Sequence, residues 1–348
     1  MKTIVRKYGG SSVSSVPKIK RIAEQIKPLY QEGNKIVIVV SAMGKTTDEL
    51  LQAAQEITDV PDKRELDMLL SIGERKSISL MALALNAIGI PTVSYTGSQA
   101  GVITDNDHGN ACILELRGSR IEQAIKQNKV VVVAGYQGVS LNKEITTLGR
   151  GGTDTTAVAI AAWINADRCE LMKDVDGLYA LPPHLFKSQS VRTKISYEEF
   201  LEIAEAGAEL LAKDAIQIAK KKQIVLGLGN TETGNIGTLI SDYSMDIQGI
   251  SQVIERQCKT MDVYTASNDT LAIGLHYFDL HPDTKEKDVI LITLLGVRIS
   301  TNEILALLKH FFSDELLYIS SSKIIIAVKE PVFLEIKSEF YRKLNAFM

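Results

Sequence analysis

The sequence predicts an α/β protein whose central sheet is mostly parallel and is covered by helices on both faces. Two apolar segments, Lys35–Val40 and Val130–Ala134, have the length and the β-branched composition of fully buried strands. Helical segments alternate with the predicted strands along the chain, which favours parallel pairing. Loops rich in glycine and hydroxyl residues follow several strands. Because open α/β sheets bind ligands at the carboxyl ends of their strands, we expect these loops to line one edge.

The elements before residue 242 are predicted from their apolar periodicity and their Gly and Pro boundaries. Predicted strands cover 3–5, 35–40, 91–95, 130–134, 168–172 and 224–228, with a last one near Ile240. Predicted helices cover 16–31, 48–56, 65–89, 120–127, 157–165, 197–206 and 208–221.

The pattern changes after residue 241, where fewer polar loop residues cluster. Segment 249–263 is weakly patterned, and strands are predicted at 270–276, 289–295 and 323–329 with helices at 302–312 and 331–344. This indicates a small βαββα unit suited to packing or dimerisation rather than catalysis. We therefore expect two domains, at 1–241 and 242–348.

Composition excludes several classes of protein. The chain has 348 residues, is 45% hydrophobic and 23% charged, and carries a formal net charge of −3. This balance favours neither a nucleic-acid partner nor an anionic membrane surface. No apolar run reaches the length of a membrane span, and the start of the chain is not a signal peptide, so a cytoplasmic location is expected. Cys112, Cys169 and Cys258 lack metal or redox spacing and are expected to be buried thiols in a reducing compartment.

The segment Leu148–Ala157, LGRGGTDTTA, is the strongest candidate for a ligand-binding loop. Its glycines let backbone N–H groups approach an anion, and the helix that follows adds the positive end of its dipole. Arg150 can hold a carboxylate through two parallel hydrogen bonds. The alternative is an ordinary glycine-rich turn in which Asp154 caps the helix.

Three further motifs carry polar residues to the same predicted edge. KYGGSS, beginning at Lys7, places a cation and free N–H groups where a phosphate can bind, although it is not a Walker P-loop. Glu74 lies within an apolar helical segment and is either solvated or directed at a cationic ligand group such as an α-ammonium. Asp174 and Asp176, in KDVDGLY, could meet a ribose or Mg²⁺, or could only shape the turn.

Together these groups suggest phosphoryl transfer to an amino acid. Arginine and threonine suit one carboxylate, glutamate suits an ammonium, and the Lys/Gly/Ser loop suits phosphate. Such catalysis consists mainly of positioning and charge neutralisation. A carboxylate acceptor is already ionised at neutral pH and needs no general base.

The order and spacing of these motifs resemble the aspartokinase family over about residues 2–240. The motifs are KYGGSSV, SAMGKTTDELL, GER, YTGSQAGVIT, GYQGV, TTLGRGGTDTTAVAIAA and DVDGLY. The resemblance implies the amino-acid kinase fold, a three-layer α/β/α sandwich followed by ACT modules that usually pair two chains into a dimer. It implies transfer of the γ-phosphoryl group of ATP, with Mg²⁺, to the side-chain carboxylate of L-aspartate. That reaction is the first step toward lysine, threonine, methionine and diaminopimelate.

The resemblance also implies a role for individual residues. Lys7 would contact the transferring phosphoryl group, and Asp154 would help to hold aspartate and is the second residue of the catalytic set. Arg150 would bind the α-carboxylate of aspartate and Glu74 its α-amino group. The remaining implied contacts are Ser41, Thr47 and Thr153 to aspartate, Gly9, Gly10 and Ser11 to phosphate, and Asp174 and Tyr179 to the nucleotide. Lys173, which is not part of the family pattern, is also expected to contact the nucleotide. No residue is assigned as a metal ligand.

The chain departs from the family pattern on the nucleotide side. Pro182-Pro183-His184 stands where Asp-Pro-Arg is usual, and Glu209 stands in place of a lysine. Gly227 and Gly229 replace basic residues, while Lys173 replaces a serine or threonine. The C-terminal part is also short, with one ACT-like module at 289–344. Two alternatives therefore stay open, namely a kinase for a related amino acid and a catalytically weak regulatory homologue.

Overall fold

A computed structural model describes residues 1–179, 190–205, 210–242, 249–263, 284–297, 302–312, 316–319 and 323–344. The chain divides into two compact units. The first consists of Met1–Leu178, Thr193–Tyr197 and Leu211–Tyr243, and the second of Tyr179–Arg192, Glu198–Leu210 and Ser244–Met348.

The elements up to residue 241 alternate between strand and helix for most of their length. In chain order they are β1 (Thr3–Tyr8), α1 (Val16–Gln31), β2 (Lys35–Val40), α2 (Thr46–Ile57), α3 (Lys63–Leu70), α4 (Ile72–Ala87), β3 (Thr92–Tyr95), α5 (Gly97–Ala100), β4 (Val102–Thr104), β5 (Ile113–Leu116), α6 (Ser119–Lys126), β6 (Val130–Ala134), β7 (Gln137–Ser140), β8 (Ile145–Thr147), α7 (Gly152–Trp163), β9 (Arg168–Lys173), β10 (Lys194–Ser196), α8 (Tyr197–Glu205), α9 (Lys213–Lys222), β11 (Leu226–Asn230) and β12 (Ile236–Ser241).

The large sheet of the first unit is mostly parallel, as predicted. Among the described residues its strand order is β10-β12-β11-β9-β1-β2-β6-β3. The pairs β9–β1, β1–β2, β2–β6 and β6–β3 are parallel, and β11–β12 is antiparallel. β1 is central, between β2 and β9, and so places Lys7 in the middle of the carboxyl edge.

The side chains of β1 point alternately to the two faces of the sheet, and both faces are covered by helices. Tyr8 packs with apolar residues of α1 and α4 in one buried cluster. Lys7 points to the other face, where it meets Asp154 of α7. Helices on both faces of a parallel sheet produce the three-layer α/β/α arrangement that was expected.

Among the local differences from the sequence prediction, three concern the elements around the carboxyl edge. The predicted helix 65–89 is broken at Ser71 into α3 and α4. α7 begins at Gly152 instead of residue 157, and its N-cap is Gly151, so the alternative in which Asp154 caps the helix is wrong. A second sheet, β5-β4-β7-β8, was not predicted because its strands have only three or four residues each.

The second unit contains an antiparallel sheet and helices. Its further elements are β13 (Gly249–Val263), β14 (Thr284–Val297), α10 (Asn302–Phe311), β15 (Leu316–Ile319), β16 (Lys323–Lys329) and α11 (Glu330–Leu344). The strand order is β13-β14-β16-β15, and aromatic side chains including Phe312, Phe333 and Phe340 form its core. Segment 249–263, for which the weak pattern predicted no element, forms a 15-residue strand. The predicted strand 270–276 lies outside the described residues.

The structure bears on two expectations from composition, namely the lack of a membrane span and the burial of the cysteines. Within the described ranges, no helix is both long and apolar enough to cross a membrane. Cys169 is buried as expected, but Cys112 is exposed, so that part of the cysteine prediction is wrong. Cys112 immediately precedes the four-residue strand Ile113–Leu116 of the second sheet, which is too short for periodicity to give a burial signal.

Candidate active site

Two loops at the centre of the carboxyl edge are packed against each other. The N–H of Gly44, in the loop after β2, donates to the carbonyl of Gly10, in the loop after β1, at 3.0 Å. A Cβ added at Gly10 would lie 2.8 Å from the carbonyl oxygen of Ala42, so this close approach requires glycine. The backbones of the KYGGSS and SAMGKTT segments therefore form one continuous wall beside Lys7.

Asp154 joins two lysines at this edge. Its Oδ1 lies 2.6 Å from Nζ of Lys7 and its Oδ2 lies 3.5 Å from Nζ of Lys173. The side chains of Lys7 and Asp154 are both 6% exposed. Burial alone would raise the pKa of Asp154, but the two ammonium groups hold that pKa below its usual range. The pKa of Lys173 is lowered by burial, against the opposing effect of Asp154.

Ser41 and Thr153 form a second part of the site beside this cluster. Ser41 follows the end of β2 and Thr153 lies in the first turn of α7. The Ser41 hydroxyl donates to Oγ1 of Thr153 at 3.0 Å. Since the neighbouring residues are Ala42 and Asp154, the hydroxyl pair lies between the β2 loop and the lysine–carboxylate cluster.

Glu74 is buried and directed at the same loop. It lies in the first turn of α4 and is 2% exposed, so the alternative of a solvated glutamate is wrong. The N–H of Ala42 donates to its Oε1 at 2.9 Å, whereas Oε2 is buried with no hydrogen-bond partner in the described part of the chain. Burial raises the pKa of Glu74 to about 7, while the Ala42 hydrogen bond opposes the increase. An unpartnered buried carboxylate oxygen is a good acceptor for a ligand cation.

Arg150 is exposed and lies in a turn between two glycines. Gly149 and Gly151, on either side, have φ values of 69° and 76°, which glycine adopts without strain. Gly151 then caps α7, so the arginine precedes the helix that carries Thr153 and Asp154. The exposed guanidinium is available to an incoming anion.

A buried carboxylate that the sequence analysis missed lies beneath this turn. Asp67, on α3, is 1% exposed. It accepts hydrogen bonds from the hydroxyl of Thr147 at 2.5 Å and from the N–H of Gly109 at 3.1 Å, and it pairs with Nδ1 of His108 at 2.7 Å. Thr147 ends β8, three residues before Arg150. The available signal in the sequence was the spacing of Asp67 three residues before Leu70, which places both on one face of the helix KRELDMLL.

The other predicted site residues have weaker structural support. Thr47 is half-buried in the first turn of α2, and Ser11 and Asp174 are exposed. The carbonyl of Ser11 accepts from Nζ of Lys18 at 2.9 Å, which closes the loop on itself. Tyr179 is half-buried and belongs to the second unit.

Several departures from the family pattern can be located and others cannot. Pro182, His184 and Glu209 lie outside the described residues. Gly229 is in β11, and a Cβ there would lie 2.3 Å from the carbonyl oxygen of Asn235, so the present backbone leaves no room for a basic side chain. Of the departures that fall within the described residues, Lys173 places a new charge in the site.

Metal binding has little support from side chains alone. The described ranges contain no group of three or more histidine, cysteine or acidic residues that could hold a metal ion. Mg²⁺ is usually bound through one or two carboxylates together with substrate phosphates. The exposed carboxylate of Asp174 fits that limited role, whereas Asp154 is already occupied by two lysines.

Sequence comparisons identify the relatives of this chain. The model of the amino acid kinase family matches residues 2–228. An aspartokinase of Corynebacterium glutamicum is 44% identical over 248 residues, which cover 71% of this chain and 59% of the relative. Aspartokinase 2 of Bacillus subtilis is 41% identical over 298 residues, covering 84% and 72%. The chain thus spans about three fifths of the length of several of the curated relatives it matches.

Solved structures agree with the fold. The aspartate kinase from Synechocystis has a TM-score of 0.63 and 30% identity, covering 97% of this chain and 69% of that one. E. coli aspartokinase III in complex with aspartate and ADP has a TM-score of 0.77 at 17% identity, with full coverage of both chains. The two curated relatives above are aspartokinases, and the chain belongs to the amino acid kinase family.

Proposed function

We propose that the chain transfers the γ-phosphoryl group of ATP to the side-chain carboxylate of L-aspartate. The observation that carries this proposal is the paired arrangement at the carboxyl edge. Glu74, which keeps an open carboxylate oxygen, is bonded to Ala42 next to Ser41, and Ser41 is bonded to Thr153 next to Asp154 of the Lys7–Asp154–Lys173 cluster. The names of the curated relatives support the same substrate.

On the acceptor side, aspartate offers an ammonium and two carboxylates. Oε2 of Glu74 receives the α-ammonium, and Arg150 binds the α-carboxylate through a charge-assisted bidentate contact. The hydroxyls of Ser41 and Thr153 then orient the side-chain carboxylate toward Lys7. Since this carboxylate is ionised at neutral pH, its oxygen attacks phosphorus without a general base.

On the phosphoryl side, the new bond joins the carboxylate oxygen to the γ-phosphorus as the bond to the bridging oxygen of ADP breaks. Lys7 neutralises charge on the transferring group, and Asp154 holds the Lys7 ammonium in place. Backbone N–H groups at Gly9 and Gly10 lie beside Lys7 for the phosphate oxygens. Mg²⁺, which would enter with ATP and contact Asp174, supplies further charge neutralisation.

An aspartyl-hydroxamate assay tests the proposal. Purified protein with Mg·ATP, aspartate and hydroxylamine is expected to trap the acyl phosphate as the hydroxamate. Loss of charge-assisted contacts worth about 1.5–3 kcal/mol should raise the KM for aspartate roughly 10–150-fold in Arg150→Ala. The matched control is Arg120→Ala, an exposed arginine on α6, which should leave KM unchanged. Wild-type protein that forms no aspartyl hydroxamate, or that forms one only with another amino acid, would refute it.

We also propose that the second unit is an ACT-like module that joins two chains in a cytoplasmic homodimer. Its element order, β14-α10-β15-β16-α11, and its antiparallel sheet support a small α+β module. Light scattering on the purified chain should give twice the monomer mass of 38.2 kDa, and a monomer at micromolar concentration would contradict the dimer.

A further inference from the structure

The lysine–carboxylate cluster carries more positive than negative charge. Lys7 and Lys173 share the single carboxylate of Asp154, so the three groups have a net charge of +1 when ionised. The other buried acid on these strands, Glu170, is 0% exposed and pairs instead with Arg6 and Arg168. Removing charges from water without full pairing is costly. A site with this excess charge is therefore suited to an anion.

Strand register explains why Lys173 and Lys7 meet one carboxylate. β1 and β9 are parallel, and Lys7 is paired with Leu171. Because side chains alternate along a strand, Lys173 lies on the same face as Lys7, two residues nearer the carboxyl end. The side chain of Lys173 is 22% exposed, against 6% for Lys7. Lys173 therefore forms the outer, solvent-facing end of the cluster.

The position of β9 assigns Lys173 to the donor side of the reaction. β9 lies on the opposite side of β1 from β2, whose loop carries Ser41. Its carboxyl end leads into Asp174, the carboxylate proposed to meet Mg²⁺. A cation here faces the polyphosphate rather than the amino acid.

We infer that Lys173 is a second catalytic cation, which contacts the phosphates of ATP beside Lys7 and stabilises the charge that moves onto the leaving ADP. Asp154 acts as the shared counter-ion that spaces the two ammonium groups. This inference rests on the proposed phosphoryl transfer, and it gives Lys173, expected from the sequence only to contact the nucleotide, a catalytic role.

Substitutions at Lys173 separate catalysis from structure. Lys173→Met should lower kcat/KM for Mg·ATP about 10–100-fold and leave the KM for aspartate within about 2-fold. Lys173→Arg retains a cation and should recover part of the loss. Lys129→Met, an exposed lysine next to β6, is the matched control and should behave as wild type. Thermal unfolding of Lys173→Met should occur at or above the wild-type temperature, because Asp154 keeps its contact with Lys7.

Calorimetry with Mg·ATP and no aspartate provides a readout that does not depend on turnover. Weaker binding by Lys173→Met than by wild type and Lys129→Met is the expected result. If wild type binds nucleotide in this Lys173-dependent way yet forms no aspartyl hydroxamate, the proposed acceptor is wrong and the role of Lys173 stands. Equal nucleotide binding and equal kcat/KM in wild type and Lys173→Met would overturn the inference. Wild type that binds no nucleotide would overturn both.

Discussion

Replacing Glu74 with glutamine tests whether this buried carboxylate is poised for an ammonium. In the folded chain its pKa is raised to about 7, against an ordinary value of 4.5. Because the folded state keeps a proton that the unfolded chain has released, the free energy of unfolding falls as pH rises through this interval. The difference of about 2.5 pH units, at about 1.4 kcal/mol per unit, corresponds to roughly 3 kcal/mol.

Glu74→Gln removes this cost because an amide does not ionise, while its carbonyl still accepts from the N–H of Ala42. At pH 4.5 the variant and wild type should differ only by a constant. At pH 8 the free energy of unfolding of the variant should be higher, relative to that constant, by up to about 3 kcal/mol. Urea unfolding at pH 4.5, 6 and 8 measures this, with Glu122→Gln, an exposed glutamate of α6, as control. Stability curves for Glu74→Gln and wild type that run parallel across this range would refute the reasoning.

The same protonation should control substrate binding. An α-ammonium binds only the ionised form of Glu74, so aspartate affinity should fall toward tenfold per pH unit below about 7. In Glu74→Gln the affinity should be weak and nearly independent of pH. Titration of aspartate by calorimetry between pH 5.5 and 8 distinguishes the two. A wild-type affinity that stays constant over that range would contradict the assignment of Glu74 to the ammonium.

Two further substitutions test how the acceptor loop is held. Thr147→Val removes the hydroxyl that donates to Asp67 and should raise the KM for aspartate several-fold with little change for ATP, whereas Thr147→Ser should restore it. Thr146→Val, equally buried on the same strand, is the control, and an equal effect from it would contradict a positioning role for Thr147. Gly135→Ala places a Cβ 2.4 Å from Cγ2 of Thr153, so it should destabilise the fold by about 1–3 kcal/mol and weaken aspartate binding. Urea unfolding and aspartate titration measure these two effects. Near-wild-type values in both would show that the backbone moves to accommodate the methyl group, and would contradict the prediction.

The sequence was sufficient for the sheet because its signals are local and strong. The run Val130–Ala134 is apolar at every position, and it is a fully buried strand in the sheet. The small second sheet was not predicted, because strands such as Ile145–Thr147 are too short for a period of two to be detected. The break at Ser71 escaped because both neighbouring segments have good helix formers.

Contacts across long sequence separations account for what remained unpredicted in the candidate site. Lys7, Asp154 and Lys173 come from three distant segments, and only strand register brings them to one point. Asp67 had no motif of its own, because its partners Gly109 and Thr147 are joined to it through tertiary contacts. Glu74 was recognised as a candidate, but its burial, and therefore its raised pKa, follows only from the packing around Ala42.

The parallel pairing of β1 and β9 determines which positions can supply a cation to the cleft when the sequence changes. Neighbouring strands are roughly 4.8 Å apart, so long side chains that leave the same face of two strands near their carboxyl ends can reach the same point. A cation lost from one loop can then be replaced from the end of an adjacent strand, as long as the replacement faces the same layer. The positive charge of the cleft therefore belongs to the sheet edge as a whole, because several positions on that edge can provide the cation. Lys173, on the strand next to Lys7, occupies one such position.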